Sequence, residues 1–191
     1  MLITLAEVKS YLRIPTAETT EDAYITTLLK VATDFAEKFC QRKFDEAIHT
    51  EYYDGDGKSG IILLKQFPVV SITSVHDDTA RIFDSVTLVS SSDYAVLAEG
   101  ILERIDSLCF SKGIQNIKVV YKAGWKAGST YEPPEDLKQA MIEIVAQKFY
   151  LSDKQRQGIQ NQSFEGGSVS FFIQELLPET KAVLERYRRI R

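Results

Sequence analysis

The densest group of residues able to do chemistry is DGDGKSG at positions 54 to 60. Gly55, Gly57 and Gly60 satisfy the spacing G-x-G-x-x-G, and Gly57-Lys58-Ser59 resembles the end of a phosphate loop. A dinucleotide fingerprint needs a helix to begin at its glycines, so that the first free N–H groups meet the pyrophosphate. Here the β-type run IILLK follows. A Walker loop needs glycine five places before Gly57, where Tyr52 stands. Asp54 and Asp56 open like a calcium loop, yet Ser59 takes the sixth position, where the sharp turn requires glycine. The segment is therefore expected to be a hairpin turn. A nucleotide-dependent enzyme using Asp56, Lys58 and Ser59 is the alternative, and it rests on the motif alone.

His49 and His76 are the only histidines, and neither stands at metal-ligand spacing from Cys40 or Cys109. His49 lies in an alternating run and is expected on a strand surface. Both cysteines have apolar neighbours and are expected to be buried free thiols. Glu99, Glu103 and Asp106 are scattered carboxylates, better explained by solvation than as a general acid and base pair. No nucleophile elbow and no H-E-x-x-H pair is present. The expectation is a protein that is not an enzyme and needs no cofactor or metal.

The C-terminal segment has a different character. Lys181, Arg186, Arg188, Arg189 and Arg191 face a single Glu185, although the whole chain carries a net charge of -4. Three readings stand: a solvated helix end whose cations meet the helix dipole, an arm docking on another protein, and a phosphate-binding site on nucleic acid. The docking reading joins Tyr187, Arg188, Arg189 and Arg191 to Phe171, Phe172, Leu176 and Leu177 just upstream, since aromatic and arginine side chains are typical interface anchors.

These residues need elements to position them. Ile25, Leu28, Leu29, Ala32, Phe35, Ala36 and Phe39 recur at helical spacing, which predicts a long amphipathic helix over 21–42. Thr19 with Asp22 suggests its cap. Thr4 and Glu7 form a T-x-x-E box before a short helix that ends ahead of Pro15. After Phe44 the period becomes alternating: 48–53 and 61–65 flank the glycine-rich turn as a predicted hairpin, and 69–75 and 117–121 follow as strands. Shorter pieces at 81–83, 86–89, 94–97 and 101–104 complete about six strands over 46–123. Pro133, Pro134, Glu135 and Asp136 set up a helix to about Leu151, and Pro178 opens a last one. Between them, 152–167 is polar and glycine-ended, which suits a mobile or partner-ordered loop, and 168–173 reads as extended. With 44% hydrophobic residues, no membrane-length apolar run and no signal-peptide pattern, the chain is expected to be a cytosolic product without a membrane partner.

The order of these pieces resembles the head-tail connector proteins of tailed bacteriophages, also called adaptor or head completion proteins. The resemblance is carried by LAEVKSYLRI at 5–14, FAEKFCQRKF at 35–44, YYDGDG at 52–57, FPVVSITSV at 67–75, VVYKAGW at 119–125, PPEDLKQAMIEIVAQKFY at 133–150, and SVSFF with LPETKAVLERYRR at the end. It covers nearly the whole chain. It implies a fold that is α+β but mainly an α-helical bundle, made of the two N-terminal helices, helix 134–151 and the C-terminal helix, with a β-rich insertion. The corresponding domains are a helical connector domain over 1–45 and 124–191, with its docking arm, and the insertion over 46–123. The smallest members lack most of that insertion. The implied function is that of a structural virion subunit in a homo-oligomeric ring, usually dodecameric, which joins the portal to the tail and helps complete the head. Its implied partners are the phage portal protein, a downstream tail or stopper protein, and itself, with weak contact to passing DNA. Its implied place is the head-tail interface of the virion, after assembly in the host cytoplasm. The alternative reading is a nucleic-acid-binding or generic protein-interaction module acting through the basic C-terminal segment.

Overall fold

A computed structural model describes residues 2–153, 161–164, 167–170 and 176–188. The chain divides into two compact units, one of residues 1–41 with 134–191 and one of residues 42–133.

In the first unit, α1 (Leu5–Leu12) starts at Thr4. The Glu7 N–H donates to the Thr4 hydroxyl at 3.3 Å, and the Thr4 N–H donates to the Glu7 carboxylate at 2.6 Å, completing the expected capping box. α2 (Asp22–Cys40) lacks the expected Thr19–Asp22 cap: its N-cap is Glu21, with no side-chain cap bond. The Asp22 carboxylate instead accepts the buried Lys9 ammonium at 2.7 Å. That ammonium also donates to the carbonyls of Thr16 and Glu18, which folds the connection between α1 and α2 around one buried cation. α3 (Glu135–Asp153) packs on α1, α2 and α4 (Pro178–Arg186). Ile3, Val8, Ile25, Leu29, Ala32, Ala36, Leu137, Met141 and Leu184 form the buried centre. Phe35 and Phe39 are only half-buried and stack on each other at 6.5 Å, while Glu37 and Cys40 take buried places on the same helix. β7 (Asn161–Phe164) and β8 (Gly167–Ser170) pair as a separate two-stranded hairpin.

In the second unit, β1 (Ala47–Gly55) and β3 (Val69–Asp77) flank β6 (Gly113–Ala123) in an antiparallel sheet of order β1-β6-β3. β2 (Ile61–Leu63), β5 (Ile101–Arg104) and β4 (Tyr94–Val96) form a second sheet, of order β2-β5-β4. Their shared core holds Leu64, Val75, Leu102, Phe110, Ile117, Val119 and Tyr121. β6 supplies its centre because its apolar residues from Ile117 to Ala123 alternate onto one face. Gly124, at φ +114°, lets the chain turn out of β6 where a Cβ would lie 2.6 Å from the Asp45 carbonyl oxygen.

Two expectations are corrected here. The fold is not mainly an α-helical bundle with an insertion. Among the described residues four α-helices stand beside two antiparallel three-stranded sheets with a sheet-rich core of their own, so the architecture is mixed α+β. The predicted hairpin of 48–53 with 61–65 is also absent, since β1 pairs with β6 and β2 with β5. Long-range pairing, of β1 with the central strand β6 and of β2 with β5, outcompetes the local turn. Of the short pieces, 94–96 and 101–104 are strands, whereas 85–87 is a 3-10 turn. His76 and Leu88 form an isolated bridge.

Candidate interaction surface

The glycine-rich segment is closed on itself. Asp56 Oδ1 accepts the N–H groups of Lys58 and Ser59, each at 2.8 Å, and these bonds hold the Asp56 carboxyl below its usual range, the one from Ser59 contributing most. Two of the N–H groups that a phosphate would need are thus already engaged. The Cys109 thiol donates to the Lys58 carbonyl at 2.9 Å and is exposed, contrary to the expectation of burial, whereas Cys40 is buried. His49 is half-buried, with its ring 5.8 Å from that of Tyr121, so it belongs to the inner face of the sheet and not to a strand surface. Among the described residues no group of three His, Cys, Asp or Glu side chains is placed to hold a metal ion.

On that inner face Glu51 Oε2 accepts the hydroxyl of Tyr121 at 2.7 Å, the hydroxyl of Tyr53, and the Lys65 N–H at 3.2 Å. Burial pushes both phenols up, and the hydrogen bonds to the carboxylate add to the effect. This is a cross-strand brace centred on one carboxylate oxygen, while the buried Nε2 of His49 on the same face has no hydrogen-bond partner among the described residues.

The C-terminal residues are placed as follows. Leu176 is half-buried and Leu177 exposed, immediately before Pro178 at the first turn of α4. Leu184 is fully buried, and the Thr180 hydroxyl donates to Glu143 at 2.8 Å. Tyr187 is half-buried and donates to Asp136 Oδ1 at 2.5 Å; burial first, and then that bond, push its phenol up to about 12. Arg188 is exposed. Leu177 and Tyr187 stand at opposite ends of α4, about 15 Å apart at the helical rise, so they do not form one patch. Phe171, Phe172, Arg189 and Arg191 lie outside the described residues.

A surface that the sequence reading missed lies on the second unit. The buried Asp78 carboxylate accepts the N–H groups of Ala80, Ile82 and Phe83 at 2.8, 2.7 and 2.8 Å. Those bonds, led by the one from Phe83, hold Asp78 below the usual carboxylate range. They fix Arg81 and Phe83 in left-handed conformations, at φ 60° and 57°. The Phe83 ring lies 5.6 Å from Tyr52 and 5.5 Å from the Lys118 ammonium, leaving Ile82 and Val86 72% and 87% exposed. The signal was Asp78 itself, between the predicted strand 69–75 and the short piece at 81–83.

A family model described as "Head completion protein" matches residues 1–190. The chain belongs to the head completion protein family. Membership gives it a structural role in the particle and agrees with the resemblance drawn from the motif order. Its fold is similar to three solved structures. The first, the neck of an empty GTA particle computed with C6 symmetry, is 18% identical, with a TM-score of 0.64, over 100% of this chain and 91% of that one. The second, the neck of a native GTA particle computed with C12 symmetry, is 17% identical, with a TM-score of 0.62, over 100% and 90%. The third, the virion of a native gene transfer agent particle, is 20% identical, with a TM-score of 0.63, over 100% and 91%. No curated protein matches the sequence. For this family member, the comparison at the level of fold spans both units.

Proposed function

We propose that this head completion protein acts as a subunit of a ring at the head-tail interface of a phage or phage-like virion. In that position it docks on the portal through its C-terminal segment and presents its other side to a tail or stopper protein. The observation that carries this reading is the family match over residues 1–190. The full-length likeness of fold to chains of GTA necks computed with C6 and with C12 symmetry supports a ring. A ring subunit needs two different complementary surfaces, because contacts between unlike patches are the ones that close a cycle. The helical unit serves as the connector body in this reading, and the sheet unit adds a second contact region.

Docking is assigned to two separate places, Leu176 and Leu177 before α4 and Tyr187 and Arg188 after it, together with Phe171, Phe172, Arg189 and Arg191. Because Leu184 and Thr180 are buried in the helical unit, removing everything from Ser168 onward would also remove core. The sharper test replaces Leu177 and Arg188, both exposed, and measures binding to the portal of the same particle. Weakened binding by Leu177→Glu with Arg188→Glu, at unchanged circular dichroism, supports the arm. Unchanged binding rejects those residues as anchors.

A further inference from the structure

β1 is a sheet edge that stays regular over most of its length, its one irregularity lying at its end, between Tyr53 and Gly55. It pairs with β6 from Ala47 to Tyr53 with no shift of register, and its other side carries no strand among the described residues. At about 3.3 Å per residue this regular stretch is roughly 23 Å long. Its sequence, AIHTEYYDG, contains neither lysine nor proline, the residues that natural edges commonly use to prevent pairing. Ile48 on it is 71% exposed and Tyr52 42%.

The opposite edge differs. β3 breaks register between Val69 and Ser71 and again between Ile72 and Ser74, and such bulges blunt an edge. Its end is also covered, with the Val89 N–H donating to the Val75 carbonyl at 2.8 Å and Leu88 bridging to His76. In the smaller sheet, the outer strands β2 and β4 are three residues each.

The β7–β8 hairpin has the converse property. It pairs from Asn161↔Ser170 to Phe164↔Gly167 and has no third strand among the described residues. A lone two-stranded hairpin is marginal in water and gains stability by joining a sheet. Its strands, NQSF and GSVS, carry no charge that would oppose Glu51 or Asp54 on β1. Four-residue strands also fit within the length of the open edge.

We propose that the open edge of β1 is extended by the β7–β8 hairpin of a second copy of this chain, giving a sheet shared between subunits. The inference rests on the ring reading and specifies one of its interfaces. Edge and hairpin are unlike surfaces, so repeating the contact from copy to copy makes a head-to-tail series, the kind that closes into a ring. The main-chain hydrogen bonds of an added strand supply the affinity, and the side chains of Ile48 and Tyr52 supply the fit.

The test combines sedimentation velocity with amide hydrogen exchange on the full chain, alone and bound to the portal of its particle. Two variants accompany it: residues 161–170 replaced by an equal length of Gly and Ser, and Ile48→Lys with Thr50→Lys on the exposed face of β1. The expected result is an assembly in which amides of 47–53 exchange at least about tenfold more slowly than in the monomer. Both variants should lose that assembly while retaining the circular dichroism of the parent. An assembly whose β1 amides exchange freely, or which survives both variants, overturns the pairing and leaves the ring reading intact. Protection of β1 in a monomer, lost when the hairpin is replaced, means that the chain's own hairpin occupies the edge and also overturns it. A monomer under every condition, including with the portal, overturns both readings.

Discussion

The Cys40 thiol donates to the Leu184 carbonyl oxygen across 3.3 Å, fastening the last turn of α2 to α4 inside the helical unit. The segment assigned to docking therefore has two parts. Pro178 to Arg186 is anchored to the body through Leu184 and Thr180, while the exposed face of that helix and the residues around it are available to a partner.

Leu184→Ala should destabilise the protein by about 2 to 5 kcal/mol, the usual consequence of emptying a buried leucine site. Urea denaturation measures it. A change of only a few tenths would show that α4 is not part of the folded body.

Lys9 is the buried cation at the start of the chain, bonded to Asp22 at 2.7 Å and to the carbonyls of Thr16 and Glu18. Lys9→Ala removes the shared donor from a half-buried carboxylate and two carbonyls and should cost about 1 to 3 kcal/mol. Lys9→Met, which keeps the apolar stem, should recover part of that loss. Equal stability of both variants and the parent would contradict this role for the ammonium.

The helical elements were the most legible part of the sequence because their signals are local. Thr4 with Glu7 marks the start of α1, and Pro178 the start of α4. The same kind of reasoning failed at Thr19 and Asp22, where a tertiary partner, Lys9, takes the carboxylate away from the cap. It failed more widely in the sheets. The turn at Asp56 is real, with two N–H groups bonded to its carboxylate, yet the strands on either side leave in different sheets. Which strand becomes the partner depends on where Ile117, Val119 and Tyr121 bury, far along the chain. Strands of three or four residues, such as β2, β4 and β5, are also too short to show a period. The mainly helical balance was what the resemblance implied, although the residues of 46–123 read as about six strands. As for the candidate site, Leu177 and Arg188 are exposed as a docking surface requires, whereas Tyr187 is held by Asp136. The Ile82 and Val86 surface was illegible because a buried carboxylate and left-handed backbone at Arg81 and Phe83 create it.

Alkaline pH should weaken the fold. The phenols of Tyr53, Tyr121 and Tyr187 are all pushed up, by burial first and then by bonds to Glu51 or Asp136. A raised pKa means that the folded state holds the proton more tightly. Stability from these groups is complete below the unfolded tyrosine value of about 10 and falls as pH rises above it. For Tyr187 the fall runs through about 12. Urea midpoints at increasing pH, followed together with tyrosinate absorbance, should decline in this window, and less steeply in Tyr121→Phe. A flat profile would refute the brace.

Acid should release the loop after β3. Asp78 is held below the usual carboxylate range, so its contribution is present above the unfolded value of about 4 and lost as pH falls through the lower, folded one. Asp78→Ala should imitate acid at neutral pH. Limited trypsin digestion reads this at Arg81, which is exposed. Faster cleavage in the variant is expected; equal rates would mean that the three N–H bonds do not hold the loop.

The central claim is that this chain completes a head by docking as a ring on the portal. Co-sedimentation of the purified full-length protein with the isolated portal of its own particle, followed by electron microscopy of the pellet, tests it most directly. A symmetric ring of this chain seated on the portal is the predicted result. A portal that sediments bare under every assembly condition would contradict the account.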